Sequence, residues 1–328
     1  MTASGLPFDD FRNLLRQLPG PDEAAATFVH RAFELGGREA GALGRLEEIA
    51  LWLAAWTGRP AALPGRPLMA VFAGTHGVSA ALGTPDPIAE TQHRVERLAA
   101  GAAALNRLCS VNDLSLKVFD LALDLPVEDI SRAAALDERG CAATMAFGME
   151  AVAGGTDLIC IGDLGTDNDI PATAIFAALF GGGAKDWTDK GAERVKLIDA
   201  AINLHRHADP LEILRRLGGR EVAAIAGAIL AARIEKVPVI LDGLATTAAA
   251  AVLHAANPAA IDHCILAGSI SEPHKRVADR LGLGPLLDFH VREGEGTGAA
   301  LAAGIIKAAA QIAAGFAEVR MRSHSASA

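Results

Sequence analysis

The sequence predicts an α/β protein: a doubly wound parallel sheet with helices on both faces. Two observations carry this. Five short apolar runs recur along the chain, each separated from the next by a longer helical pattern. Repeated strand-then-helix order implies parallel strands covered on both sides. The composition agrees, because 51% of the 328 residues are hydrophobic and many of these are Ala, which favours helices and close packing of helix on sheet. This length suits one large α/β domain, or a large domain with a small partner.

The elements follow in chain order. Residues Pro21 to Thr57 have a helical pattern with a break at Gly36-Gly37, and Leu46, Ile49 and Leu53 share one face of its second half. Pro67 to Gly74 is an apolar run closed by glycine and reads as a buried parallel strand. The other four runs are Leu116 to Leu121, Leu158 to Gly162, Val237 to Gly243 and His263 to Gly268. Ala80 to Glu90, with Gly83, Pro85 and Pro87, and Gly181 to Gly191, with three consecutive glycines and Trp187, are expected to be functional loops. The small, polar tail from Arg320 is expected to fray.

Open α/β sheets bind ligands beyond the carboxyl ends of their strands. His76, Asp163, Asp242 and Ser269 fall there. Two further features stand near these ends. Ser269 and Ser271 suit either phosphate donation or helix capping. Glu272 and His274 read as an acid–base pair or as a solvated helix start.

The densest signal is Arg292-Glu293-Gly294-Glu295-Gly296-Thr297-Gly298, two acids in a glycine-rich turn directly before a long Ala-rich helix. Such a turn exposes backbone N–H groups and favours an anion at the helix N-terminus. Two readings of Glu295 stand: a base beside a phosphorylated substrate, or a helix-start carboxylate stabilised by the dipole.

Composition excludes several classes. Acidic residues outnumber basic ones 39 to 30, for a formal net charge of −9, so there is no basic footprint for nucleic acid or an anionic membrane. Aromatics are 4% and Tyr is absent, which removes stacking platforms for single strands. Cys109, Cys141, Cys160 and Cys264 show no C-x-x-C spacing and read as buried thiols in a reducing cytosol. No signal peptide is visible, and no uncharged apolar stretch reaches the roughly 18 residues of a membrane span. The expectation is a soluble cytoplasmic protein.

Gly44-Arg45-Leu46-Glu47, Gly101 to Asn106, Leu241-Asp242-Gly243 and Gly294-Glu295-Gly296-Thr297-Gly298-Ala299-Ala300-Leu301 occur together in this order. With them the chain resembles, from about Leu6 to Ala317, the nicotinate-nucleotide:dimethylbenzimidazole phosphoribosyltransferase family of cobalamin lower-ligand assembly. The resemblance implies transfer of the phosphoribosyl group of nicotinate mononucleotide to 5,6-dimethylbenzimidazole, giving α-ribazole phosphate and nicotinate. It implies no metal and no other cofactor, and a homodimer. It also implies a small helical domain, placed here at residues 1–60 with distant contributions, on a large Rossmann-like domain at 61–317, before a frayed tail at 318–328. Glu295 maps to the family's catalytic base. Asp163, in the place of a family glutamate, is the second expected catalytic residue, and substrate contacts fall to His76, His93, Gly165, Arg194, Asp242, Ser269, Gly294, Gly296 and Thr297.

The chain departs from the family at several of these positions. Gly162-Asp163-Leu164-Gly165 stands where the family has Gly-Glu-Met-Gly, pulling a carboxylate back by roughly 1.3–1.5 Å. Asp167 and Asp169 add negative charge that would repel phosphate unless a cation is present, or else they cap the following helix. Gln92-His93-Arg94 replaces the family's Ala-Gln-Met, Gly182-Gly183-Ala184-Lys185 its Arg-Gly-Thr-Gly, and Arg194 its lysine. A second reading is therefore a divergent, non-catalytic paralogue that binds a nucleotide or azole as a sensor or hetero-oligomer partner.

Overall fold

A computed structural model describes residues 5–34, 41–60 and 63–325. All five apolar runs are strands: β1 (Pro67–Ala73), β2 (Ser115–Asp120), β3 (Leu158–Leu164), β4 (Val239–Leu241) and β5 (Cys264–Leu266). They form one parallel sheet in the order β2-β1-β3-β4-β5. The order reverses between β1 and β3, which makes the crevice at their carboxyl ends the natural ligand site.

Side chains alternate along the strands, so each face has its own core. Ala70, Phe72, Ile159, Ile161, Val239 and Leu241 point into one apolar cluster. Met69, Val71, Ala73, Leu158, Cys160 and Ile240 point into the other. Fifteen α-helices are described. The first face is covered mainly by α7 (Glu138–Met149), α8 (Asp169–Phe180), α11 (Pro210–Leu217), α12 (Arg220–Ile234) and α13 (Leu244–Ala256). Helices α12 and α13 are apolar on almost every side and accordingly buried on almost every side. The N-terminal α1 (Asp9–Arg16) joins this face through Phe11 and Leu15.

The second face carries α2 (Glu23–Glu34), α3 (Arg45–Thr57), α5 (Pro87–Ala99), α6 (Ala104–Val111) and the long α15 (Thr297–Ser325). By length and mean hydropathy α15 could cross a membrane, although Lys307 interrupts it, so no uncharged apolar stretch reaches that length. Half of that apolar window is buried, however, under α2, α3, α6 and the sheet, so it serves as a core helix. It also continues to Ser325, past the point where fraying was expected. The break at Gly36-Gly37 lies outside the described residues.

The first expected loop is mostly helix, and the second holds one short helix within a loop. Helix α4 (Val78–Leu82) ends at Gly83, which has φ 76°, and α5 begins with Pro87 at its first turn after Asp86. The glycine and proline are thus helix stop and start signals. Helix α9 (Ala184–Trp187) interrupts the second stretch before α10 (Ala192–Leu204). Helix α14 (Glu272–Arg280) begins as the capping reading expected, with Ser271 accepting from the His274 N–H.

Candidate active site

The turn before α15 reaches the sheet by a close backbone contact. Gly294, Glu295 and Gly296 have φ of 76°, 61° and 87°, three successive left-handed residues. Glycine adopts this readily, but Glu295 does so at a cost of roughly 1–2 kcal/mol. The turn is held against β3 at Gly162, where an added Cβ would lie 2.7 Å from the Glu295 carbonyl carbon and closer still to Gly296. Asp242, just past β4, fixes the other side: its Oδ2 accepts from the Gly298 N–H at 2.7 Å. That N–H belongs to the first turn of α15 and has no partner within the helix. Burial pushes Asp242 up to about 6, although the Gly298 and Ala299 N–H groups favour its charge.

The Glu295 side chain is 1% exposed. Its Oε1 accepts from Arg94 Nε at 3.1 Å and from Arg97 Nη2 at 3.2 Å, both on α5. Arg97 also lies 3.5 Å from Glu293. Glu295 Oε2 is buried and has no hydrogen-bond partner among the described residues. One oxygen is therefore anchored and the other is left free for a proton donor.

Glu295 forms part of the wall of a cavity of about 230 Å³ over the ends of β3 and β4. Arg94, Lys190 and Arg292 supply positive charge; Leu244, Ile270 and Val291 supply apolar surface. A neighbouring cavity of about 150 Å³ shares Asp169, Lys190, Leu244, Ile270 and Arg292 with it. Asp163 is the last residue but one of β3, not a residue beyond the strand, because the ladder with β1 continues to Leu164. Its carboxyl accepts from Asn168 Nδ2. Burial, then Glu221 and Asp242, push Asp163 up to about 7, against the pull of Asn168 and Arg94.

The structure thus brings together Glu295, Asp163, Asp242, Gly165 and Gly294 around one cavity. Gly296 and Thr297 stand behind it, supporting the turn, and Ser269 lines an adjoining cleft with Asp242 and Gly298. Three further residues expected to contact substrate do not line it either. His93 is on an exposed part of α5, whose inward face presents Arg94 instead. His76 is buried, with Nε2 3.1 Å from Glu221 Oε1. Arg194 sits behind Asp169, bonding Asp169 at 2.8 Å and also Asp167.

Arg194 answers the question raised by the two aspartates, since its guanidinium is the cation that balances them. Burial raises Asp167, but bonds from Thr84 and Arg194 outweigh it and hold the carboxyl below its ordinary value. Neither aspartate caps α8 through its side chain; Asn168 occupies that position without a capping bond. Glu272 and His274 do not form a pair either. Glu272 is exposed, whereas His274 is buried against Thr247, 2.9 Å away, and burial lowers it to about 4.

Sequence reasoning missed Arg94, Arg97, Lys190, Arg292, Asn168 and Glu221. Arg94 and Arg97 carried one signal, their spacing of three on a helix, which puts both on one face.

Comparison with known proteins places the chain in a family. The family model DBI_PRT, described as phosphoribosyltransferase, matches residues 18–321. The chain is 58% identical, over 97% of both chains, to the nicotinate-nucleotide–dimethylbenzimidazole phosphoribosyltransferase of Rhizobium meliloti (strain 1021). It has the same identity and coverage with the protein of that name from Sinorhizobium fredii (strain NBRC 101917 / NGR234). A crystal structure of the protein of that name from Thermus thermophilus superposes with a TM-score of 0.80 at 31% identity, covering 89% of this chain and 96% of the other. The whole-chain family match and the shared fold establish that this chain belongs to the DBI_PRT phosphoribosyltransferase family.

Proposed function

We propose that this protein transfers the phosphoribosyl group of nicotinate mononucleotide to 5,6-dimethylbenzimidazole or a related azole, giving α-ribazole phosphate and nicotinate. The observation that carries the reading is Glu295: a buried carboxylate with one anchored oxygen and one unpartnered oxygen, beside a cavity lined by three cations. In this mechanism the free oxygen takes the azole N–H proton while the other azole nitrogen attacks the anomeric carbon. The bond to the pyridinium nitrogen breaks and its electron pair neutralises the leaving nicotinate. A positioned base contributes about 10²–10⁴-fold to such a step. Arg94, Lys190 and Arg292 are the groups suited to the phosphate.

The names of the close relatives favour this enzyme over a non-catalytic sensor or hetero-oligomer partner. We also propose a cytoplasmic homodimer, and a small helical domain of residues 1–60 with distant contributions on a larger domain of residues 61–317. Incubating purified protein with nicotinate mononucleotide and dimethylbenzimidazole, and separating the products by chromatography, tests the reading. Equal amounts of nicotinate and a new benzimidazole nucleotide are expected. Binding of both substrates without either product would favour the non-catalytic alternative.

A further inference from the structure

Five carboxyls line the main cavity, and four of them already have a cation or a backbone N–H as partner. Asp169 pairs with Arg194 at 2.8 Å, Glu293 with Arg97 at 3.5 Å, and Glu295 with both Arg94 and Arg97. Asp242 accepts from the Gly298 N–H. Asp163 differs. Among the described residues it has no ion pair, and its one hydrogen bond comes from a neutral amide, Asn168 Nδ2, to Oδ2. The side chain is half-buried and faces the cavity, with Oδ1 unpartnered. Gly243 leaves room beside that oxygen, since a Cβ there would lie 2.9 Å from Oδ1.

Asn168 is itself held in place for this contact. It occupies the N-cap of α8, where an asparagine ordinarily bonds the first N–H groups of the helix, yet it makes no capping bond. The turn that carries it is tied from several sides. Thr91 Oγ1 accepts from the Thr166 N–H at 3.2 Å, and Ser79 Oγ donates to the Thr166 carbonyl at 3.3 Å. Thr84 Oγ1 donates to Asp167 at 2.6 Å, and Arg194 holds the same carboxyl from α10. A braced amide on one oxygen of Asp163 fixes the direction of the other, which is how a binding group is built for a single geometry.

The substrates of the proposed transfer leave one class of group for Oδ1. The phosphate and the nicotinate carboxylate are anions and belong with Arg94, Lys190 and Arg292. The azole N–H belongs with Glu295, and the methyl groups of the azole are apolar. The ribose hydroxyls remain. A hydroxyl both donates and accepts, so Oδ1 can bond one whether the carboxyl is ionised or protonated. Strand-end carboxyls bind ribose hydroxyls in other open α/β sheets as well. Gly162, the residue before Asp163, packs against the Glu295 turn, so a sugar bonded to Asp163 lies beside the base that serves its anomeric carbon. We infer, resting on the phosphoribosyl-transfer reading, that Asp163 held by Asn168 binds a secondary hydroxyl of the donor ribose and makes the site selective for ribosyl over deoxyribosyl donors. Asn168 is then a positioning residue, acting through Asp163.

Calorimetric titration of the full chain with nicotinate mononucleotide and with its 2′-deoxy and 3′-deoxy analogues tests this. In the wild type, one of the two analogues is expected to bind about tenfold or more weakly than the parent, the loss of one strong hydrogen bond. In Asp163→Ala that ratio is expected to shrink to about threefold or less, and Asn168→Ala should lower it as well. A site that is merely loosened weakens all three ligands alike and leaves the ratio unchanged, so the ratio separates hydroxyl recognition from a general structural role. Equal affinities for all three in the wild type, or a wild-type ratio in Asp163→Ala, overturns the inference; the first result decides even where the variant fails to fold. An unchanged ratio in Asn168→Ala overturns the positioning role. Binding is read without turnover, so failure of the transfer assay with the ratio intact removes the proposed reaction alone. In the active enzyme, kcat/KM for the three donors should follow the same pattern, because the intrinsic reactivity of a deoxy donor cancels between wild type and variant.

Discussion

Gly162→Ala joins the fold to the chemistry in a single methyl group. The new Cβ would stand 2.7 Å from the Glu295 carbonyl carbon and nearer still to Gly296. Carbon atoms in contact sit about 3.5–4.0 Å apart, so the turn must retreat by about 1 Å. It has little room to do so. Gly296 is backed by Met69, whose sulfur would lie 3.1 Å from a Cβ there, and Gly298 is tied to Asp242. Overpacking of this kind costs about 1–3 kcal/mol. A displacement of 1 Å at a catalytic group costs about 100-fold in rate. Thermal unfolding with steady-state kinetics is the assay. The variant is expected to fold with a lower Tm, bind nicotinate mononucleotide, and turn over about 100-fold more slowly. Wild-type Tm and rate together would refute the close contact between β3 and the Glu295 turn.

Other consequences follow from the same geometry. Arg94→Ala leaves Glu295 with a single guanidinium partner and removes a cation from the cavity; a loss of about 1–2 kcal/mol of stability, scaled down for partial exposure, and at least about tenfold in kcat/KM is expected. Arg94→Lys should not restore the rate, since the fork geometry is lost, and full activity in the lysine variant would argue for charge alone. Asp163 and Asp242 are raised to about 7 and about 6, so they add stability at low pH that is lost as pH rises through those values. Buried His263 and His274, lowered to about 3 and about 4, act in the opposite sense and lose stability as pH falls below the ordinary histidine range. Denaturant melts of an Asp163→Asn, Asp242→Asn double variant should therefore lose stability more steeply than wild type between pH 7 and 5; parallel profiles would contradict the shifts. All four thiols are buried, and burial raises each, Cys109 to about 11. They should resist a thiol reagent at neutral pH until the chain unfolds, and rapid labelling of the native protein would count against that packing.

The sheet was legible because strands buried on both faces must be apolar throughout, and all five runs are strands. Their ends were less so. Val237 and Pro238 precede β4 instead of belonging to it, in keeping with the missing proline N–H, while β3 runs through Asp163 because its neighbour β1 pairs that far. Gly83 and Pro87 suggested a loop where they mark a helix end and a helix start, since the same residues punctuate both. Glu295 and Asp242 could be found because one glycine motif and one strand end position them locally. Arg94 could not, because α5 is polar around much of its surface and nothing in its pattern shows which side meets the cavity. His76 illustrates the converse: a strand-end histidine pointed to substrate, but a glutamate 145 positions away claims it. Such long-range pairing leaves no local trace in the sequence.

The most direct test of the account compares nicotinate release by wild type and Glu295→Gln under saturating nicotinate mononucleotide and dimethylbenzimidazole. Glutamine preserves the shape and can still accept from Arg94, but it cannot take the azole proton. The account predicts retained binding of both substrates with a rate lowered by about 10²–10⁴-fold. A Glu295→Gln variant that turns over at the wild-type rate would contradict it.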